Sequence, residues 1–475
     1  MNAKENSYHG TFGQGGTGSV NAITEGVVWK QLLLFFFPIL LGSLFQQLYN
    51  TVDALIVGNF VGKQALAAVG GATAELINLI VGFFMGVGAG GAVIVSQYFG
   101  AKQPDEVSRT VHTSIAMSLL IGAFIMLFGL LFAPTLLQWM NTPADVINHA
   151  AAYLRIYFAG MIPMSVYNIG AGIIRAIGDS RRPLYYLIIG SFINIALDLL
   201  FVPVFGWGVS GAALATMLSQ TICAVLTVIS LCRSQECWQL LPRKIRLHGD
   251  ILYKVARLGI PRGIQSTMYS FANVLIQSSI NSFGTDVVAA YTAYGKLDAL
   301  YSVIVGSMGV AVTTFAGQNF GAGKIRRVHS SVRFGLGFSL AVSVLANLLA
   351  QPFGHHALAL FTDDPAVIAH GVEIIRVIFP GFLVFIGLEI FTGALHGAGD
   401  SFVPTLVTIF GICVLRVTWI TCVSPQFGTL TMTLICYPIS WTVTSLLFLI
   451  YYLKGGWIRR GQLRLGITPQ EEVSA

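Results

Sequence analysis

The chain has 475 residues, of which 55% are hydrophobic and only 10% charged, with a mean hydropathy of +0.74 and a formal net charge of +7. So little polar surface cannot clothe a water-soluble globule of this size, which excludes that class and places the chain in a bilayer. The basic excess is spread along the loops rather than clustered on one domain, so no nucleic-acid partner is expected.

Residues 1–27 are rich in Gly, Ser and Asn and hold no apolar core ahead of the first span. They are expected to be a disordered cytoplasmic tail without a cleavable signal peptide. Apolar runs then follow at Leu32 to Val57, Ile77 to Val95, Ser114 to Leu131, Tyr153 to Ala171, Leu184 to Val202 and Ala212 to Leu231. A basic stretch, 233–250, reads as a cytoplasmic linker. Further runs follow at Ile264 to Ile280, Ser302 to Phe315, Phe334 to Leu349, Ile374 to Leu395, Leu406 to Val423 and Met432 to Tyr452, before a tail at 456–475. The expected fold is all-α and integral to the membrane, with about twelve transmembrane helices in two six-helix lobes, 28–232 and 251–455, around a central cavity. A β-barrel would show short alternating segments instead.

Basic residues occupy every second connection: Lys102 and Arg109, then Arg175, Arg181 and Arg182, then 233–246, then Lys324, Arg326 and Arg327, then Lys454, Arg459 and Arg460. The alternate connections carry Asp145, Asp286, Asp363 and Asp364, with Lys63 the main exception. The positive-inside rule therefore puts both termini in the cytoplasm and the chain in the cytoplasmic (inner) membrane. The six cysteines make no CxxC or His-paired cluster, so neither a disulfide framework nor a zinc site is expected.

The chain is internally repeated. Ser96-Gln-Tyr-Phe-Gly-Ala-Lys-Gln103 recurs as Gly317-Gln-Asn-Phe-Gly-Ala-Gly-Lys324, and Gly178-Asp-Ser180 with Pro183 recurs as Gly399-Asp-Ser401 with Pro404. Both pairs are displaced by 221 residues (96 to 317, 178 to 399), as are Arg155 and Arg376. An even number of spans separates the copies, so they insert in the same orientation, as lobes related by an axis along the membrane normal. Two motifs mislead. Gly86-Val-Gly-Ala-Gly-Gly91 satisfies GxGxxG but sits inside an apolar span, where small residues serve close helix packing. Gly321-Ala-Gly-Lys324 hints at a P-loop, but Ile325 stands where Ser or Thr would hold magnesium, so no ATP is expected. Asp363-Asp364 before Pro365 reads as a helix cap, and His355-His356 as solvated loop.

An ionised carboxylate at mid-membrane costs about 2.5 to 3.5 kcal/mol or more, so Asp53 and Asp198 need a reason to be there. Asn194 and Asp198 are four apart on one helical face, Asn50 lies one turn before Asp53, and Thr216 lies in the next helix. These oxygens suit a hard monovalent cation or a shared proton. Glu389 and Arg416 are equally costly in later spans: Glu389 reads either as a cavity-facing counter-ion for substrate or as a helix-packing partner of Arg376, and it is one possible partner of Arg416. Tyr153 and Tyr157 are candidates for the cavity near Asp198.

On Asp53, Gly58-Asn-Phe-Val-Gly62, Ala65-Leu-Ala-Ala-Val69, the two Phe-Gly-Ala and two Gly-Asp-Ser loops, and Asn194 with Asp198, the chain resembles the multidrug and toxic compound extrusion (MATE) family of the bacterial type over residues 28 to 455. The resemblance implies a secondary antiporter, not an enzyme, that exports small cationic or amphipathic organic compounds by alternating access, with membrane lipid as surroundings and a monomer as the working unit. It implies no cofactor, protons and/or sodium as coupling ion, and Asp53, Asn194, Asp198 and Thr216 as the cation site, which is a metal site if sodium couples. That site is not duplicated: at the repeat offset Asp198 falls on Trp419, Asn194 on Leu415 and Asp53 on Val274. The seventh span offers Gln265, Asn273 and Gln277 but no acid, so a second-lobe sodium site is not expected. Two rival readings are a lipid-linked saccharide flippase of the same superfamily, disfavoured by the few buried basic residues, and an integral membrane enzyme acting on lipid phosphates, disfavoured by dispersed acids.

Overall fold

A computed structural model describes residues 23–70, 72–140, 142–143 and 146–465. The first copy holds α1 (Val28–Phe60), α2 (Lys63–Gly70), α3 (Ala72–Gly100), α4 (Pro104–Trp139), α5 (Ile147–Ala159), α6 (Met161–Ala176), α7 (Arg181–Leu199) and α8 (Gly208–Arg233). The second holds α9 (Gly249–Asn281), α10 (Thr285–Gly321), α11 (Ile325–Ala359), α12 (Pro365–Ile378), α13 (Phe382–Gly397), α14 (Phe402–Phe427) and α15 (Leu430–Leu453), and α16 (Gly456–Leu465) closes the described chain. Among the described residues there are ten helices long and apolar enough to span a membrane, or eleven if α5 and α6, bent by 51° at Gly160, form one span. α9 has the length of a twelfth but is less apolar, since Asp250, Lys254, Arg257 and Arg262 lie on it.

The repeat is visible in the fold: α1 and α9 begin at 28 and 249 and end at 60 and 281, and α3 and α10 end at Gly100 and Gly321. The two copies are nevertheless not self-contained. The start of α1, with Leu32, Phe35 and Phe36, is buried among α10 and α11 of the second copy, Phe36 meeting Phe338 edge-on at 5.2 Å. Its other end, with Ile56 and Val57, is buried in the first copy. α9 mirrors this, burying Ile251, Val255 and Leu258 against Val93 and Val95 of α3.

The glycine run of α3 explains how these helices approach. A Cβ on Gly86 would stand 2.7 Å from Cα of Gly263, and one on Gly90 would stand 2.9 Å from the backbone nitrogen of Gly259. Only bare backbones fit there, which is the packing role expected for the run.

The described parts of the two expected tails, 23–27 and 456–465, are tied down. Residues 1–22 and 466–475 lie outside the described residues, as does Asp145. Ile23 is fully buried, and Lys324 and Arg327 donate to the carbonyls of Thr24 and Gly26 at 2.9 and 2.7 Å, so the last residues of the N-terminal segment are docked. α16 buries Trp457 completely, and Arg464 donates to Gly399 O at 2.6 Å. The 233–250 segment is docked too, with Trp238 and Leu240 buried and His112 accepting from Leu241 N at 3.0 Å. Asp364 caps α12 as its position suggested, accepting from Ala366 N at 2.9 Å. Asp179 accepts from Arg181 N and Arg182 N, whereas its repeat mate Asp400 is buried and bonded by Tyr451 and Arg460.

Candidate cation site and cargo cavities

Three helices of the first copy bring the expected cation residues together. α1 carries Asp53, α7 carries Asn194 and Asp198 one turn apart, and α8 carries Thr216. Immediately after Asp198, α7 widens into a π-turn over Leu200–Val204, which contains Pro203. Proline supplies no amide hydrogen to the ladder, and such local widening is frequent at functional sites.

Thr216 Oγ1 donates to Asp53 Oδ2 at 3.4 Å. The carboxyl groups of Asp53 and Asp198 adjoin without the geometry of a regular hydrogen bond. Asp198 and Asn194 are 0% and 1% exposed, yet both oxygens of Asp198, both amide atoms of Asn194 and Oδ1 of Asp53 find no hydrogen-bond partner among the described residues. Orphaned polar atoms at such depth each cost about 1–3 kcal/mol, more if charged, so five in one pocket call for an occupant. The donor set, two carboxylates with an amide oxygen and a hydroxyl, fits a sodium ion or a proton shared between the acids.

Tyr153 is buried beside this pair and stacks on Tyr157 at 6.0 Å, as its position on α5 suggested. Asn50 does not join. It is exposed, and the buried side chain one turn before Asp53 is Tyr49, whose hydroxyl accepts from Gln220 at 3.5 Å. A four-residue step brings Tyr49 under Asp53 more closely than the three-residue step brings Asn50.

The second copy corrects two further expectations. Arg416 does not meet Glu389: it is fully buried in a single α turn of α14 between two π segments, donating to Ser440 Oγ at 2.9 Å and Asn273 Oδ1 at 3.2 Å. Its guanidinium lies 4.4 Å from the Tyr437 ring centroid and 5.7 Å from that of Trp441. Glu389 is half-buried on α13, feels Arg262 electrostatically rather than Arg376, and packs beside Gly309. Among the described residues Arg416 is the one fully buried basic side chain, and Arg175 and Arg262 are half-buried where they line a cavity inside the bundle.

Two cavities lie along the junction of the copies. One, about 410 Å³, is walled by Tyr269, Tyr294, Phe385, Tyr437 and Trp441 and carries Asp298 of α10 and Glu75 of α3. Tyr294 donates to Asp298 at 3.3 Å. The other, about 150 Å³, holds Arg175 and Arg262 with Ser96, Asn168 and Thr313. Asp298 and Arg262 escaped sequence reading because the apolar runs were drawn from Ser302 and Ile264, whereas α10 begins at Thr285 and α9 at Gly249. The cost of a carboxylate or guanidinium within a span would have found both had the helices been extended.

The MatE family model matches residues 38–200 and 261–419, one segment in each copy. The chain belongs to the MatE family. Among curated proteins it is 28% identical over 392 residues to the probable multidrug resistance protein YoeA of Bacillus subtilis, covering 81% of this chain and 84% of that one. It is also 28% identical over 435 residues to the probable multidrug resistance protein YpnP of the same organism, covering 91% and 97%. A solved MOP superfamily transporter from Pyrococcus furiosus has the same fold, with a TM-score of 0.86, 22% identity, and coverage of 95% and 99%. As a MatE protein the chain is a multi-pass helical membrane protein of a transport family.

Proposed function

We propose that the chain is a secondary antiporter that exports small cationic or amphipathic organic compounds in exchange for protons or sodium ions. The observation that carries this reading is the cluster of orphaned buried atoms at Asp53, Asn194 and Asp198. A buried acid pair that keeps three carboxylate oxygens without a partner is satisfied when something positive binds there, and coupling requires that this charge come and go.

The larger cavity supplies the cargo end. Its volume is within the range of small-molecule sites, and its aromatic walls with Asp298 and Glu75 suit an organic cation, since ring faces and carboxylates both attract positive charge. YoeA and YpnP bear names of multidrug resistance proteins, which agrees with this class of cargo.

In the mechanism that follows, a coupling ion enters the Asp53–Asp198 pocket, where Asp53, Asp198, Asn194 and Thr216 would hold it; its charge lets the acid pair lose its mutual repulsion. α1, α7 and α8 then repack around the neutralised pair. Because α1 also packs on α10 and α11, that repacking reaches the second copy directly and changes the cavity between the copies. Alternating access is then a rocking of the two copies about their shared junction.

The test is ethidium efflux from cells lacking their main exporters, with Asp53→Asn and Asp198→Asn beside wild type and the proton and sodium gradients collapsed separately. Both variants should lose gradient-driven efflux at normal membrane abundance, and the gradient that wild type needs identifies the ion. Full efflux in both variants would overturn the coupling role.

A further inference from the structure

The smaller cavity has the opposite polarity to the other two sites. Arg175 enters it from α6 of the first copy and Arg262 from α9 of the second. Among the described residues neither guanidinium makes a hydrogen bond or an ion pair, and both residues line the cavity. A guanidinium stays charged and presents five N–H donors, so two of them left unpartnered inside a helical bundle are costly unless something else satisfies them.

The protein's own groups do not meet that need. Glu389 is within electrostatic range of Arg262 but forms no ion pair with it. His396, the repeat mate of Arg175, has both ring nitrogens engaged, with Ser401 at 2.9 Å and Gln265 at 3.2 Å. Ser96 and Thr313 spend their hydroxyl hydrogens on Val93 O and Gly309 O of their own helices. Asn168 gives one amide hydrogen to Met164 O, leaving the other. The donors left to face the cavity are therefore the two guanidiniums, one amide hydrogen of Asn168 and the hydroxyl of Thr314, an arrangement made for an acceptor-rich anion. Met85, Ile169 and Val310 line the same space, so the group presented there belongs to a molecule with an apolar part.

We propose that this central cavity binds the anionic oxygen group, a carboxylate or phosphate, of an amphipathic cargo, held by Arg175 and Arg262 from opposite copies. The inference rests on the transport reading and widens it: the cargo includes acids and zwitterions, whose anionic end sits here. At about 150 Å³ the cavity accommodates the charged end and not a whole drug-sized molecule. Because one guanidinium comes from each copy, the bound anion ties the copies together beside the contact through which Gln318 donates to Ala176 O, next in sequence to Arg175.

The test titrates the purified full-length protein in phosphatidylcholine nanodiscs with rhodamine 110, which carries a free carboxylate, and rhodamine 123, its methyl ester, followed by fluorescence anisotropy. Arg175→Gln with Arg262→Gln should weaken rhodamine 110 by about tenfold or more and leave rhodamine 123 within about threefold, and Lys at both positions should restore part of the difference. Retained rhodamine 123 binding also shows that the variant is folded. Should the Gln pair fail to fold, wild type decides: benzoate should displace rhodamine 110 where benzamide does not. Replacing one fifth of the lipid with phosphatidylglycerol separates the sources, since arginine-dependent displacement of the dye assigns the anion to a lipid headgroup and its absence assigns it to a soluble acid; both support the site. Equal losses for the two dyes, equal competition by benzoate and benzamide, or no binding of rhodamine 110 overturns it. Ethidium efflux reports the export reading separately, so intact efflux with no carboxylate preference sinks the anion site alone.

Discussion

Gln97 on α3 and Gln318 on α10 make the same hydrogen bond in opposite directions. Gln97 Nε2 donates to Gly397 O at 2.8 Å, and Gln318 Nε2 donates to Ala176 O at 2.7 Å. The donors are 221 residues apart in the sequence, and so are the acceptors. Gly100 and Gly321, three residues past each glutamine, lie against the backbones of Gln318 and Gln97. The repeated Phe-Gly-Ala motif is thus a symmetric clasp that closes the basic end of the bundle.

Breaking the clasp should open that end. Each buried amide-to-carbonyl bond is worth about 1 kcal/mol net, so Gln97→Ala with Gln318→Ala should shift the balance between closed and open forms by about 2 kcal/mol, roughly thirtyfold. Spin labels on the two Phe-Gly-Ala turns should report a longer distance in the double variant. An unchanged distance distribution would show that the clasp does not hold the closed form.

The α3–α9 junction should reject side chains. Gly86→Leu places carbon where Gly263 backbone already lies, and overpacking of that kind costs about 1–3 kcal/mol or more because backbone cannot swing aside. Gly306→Leu enters open space and serves as the control. Size-exclusion chromatography should show loss of monodisperse protein for the first and not for the second.

Arg416 should be sensitive to its partners more than to its own loss. Asn273→Ala leaves Nη1 of a fully buried cation without its acceptor while Nη2 already lacks one, and should cost about 1.5–3 kcal/mol. Arg416→Met removes the charge together with its demands and should cost less. Thermal melts of the two variants in detergent give the order, and a larger loss for Arg416→Met would contradict it.

The docked linker should loosen in acid. His248 donates through Nδ1 to Thr113 Oγ1 at 2.9 Å and accepts at Nε2 from Arg246 at 3.1 Å, so the neutral ring is the one that fits. Partial burial first, then Arg246 and Arg109, hold its pKa below the ordinary histidine value. A depressed folded pKa means the unfolded segment takes up the proton first, so stability is full above about pH 6.5 and falls as pH drops through the lowered value. Hydrogen exchange over 240–250 should accelerate between pH 7 and pH 5 in wild type, and this pH step should shrink in His248→Asn.

The class of protein, the repeat and the first-copy acid cluster were legible in the sequence because each rests on a local property. An 18-residue apolar run, a motif recurring at one offset and a carboxylate too costly for lipid can all be read without knowing what stands opposite. Asn194 and Asp198 on one face needed only helical periodicity. The tertiary structure alone decided that α1 and α9 pass into the opposite copy, that Tyr49 rather than Asn50 faces the acids, and that Arg416 turns to Asn273 and Ser440 while Glu389 lies within electrostatic range of Arg262. Periodicity fixes which residues share a face, but which neighbour that face meets is set by packing between segments more than a hundred residues apart. Four bare glycine backbones and two reciprocal glutamines fix that meeting here, and neither set can be recognised as a contact until both copies are in place.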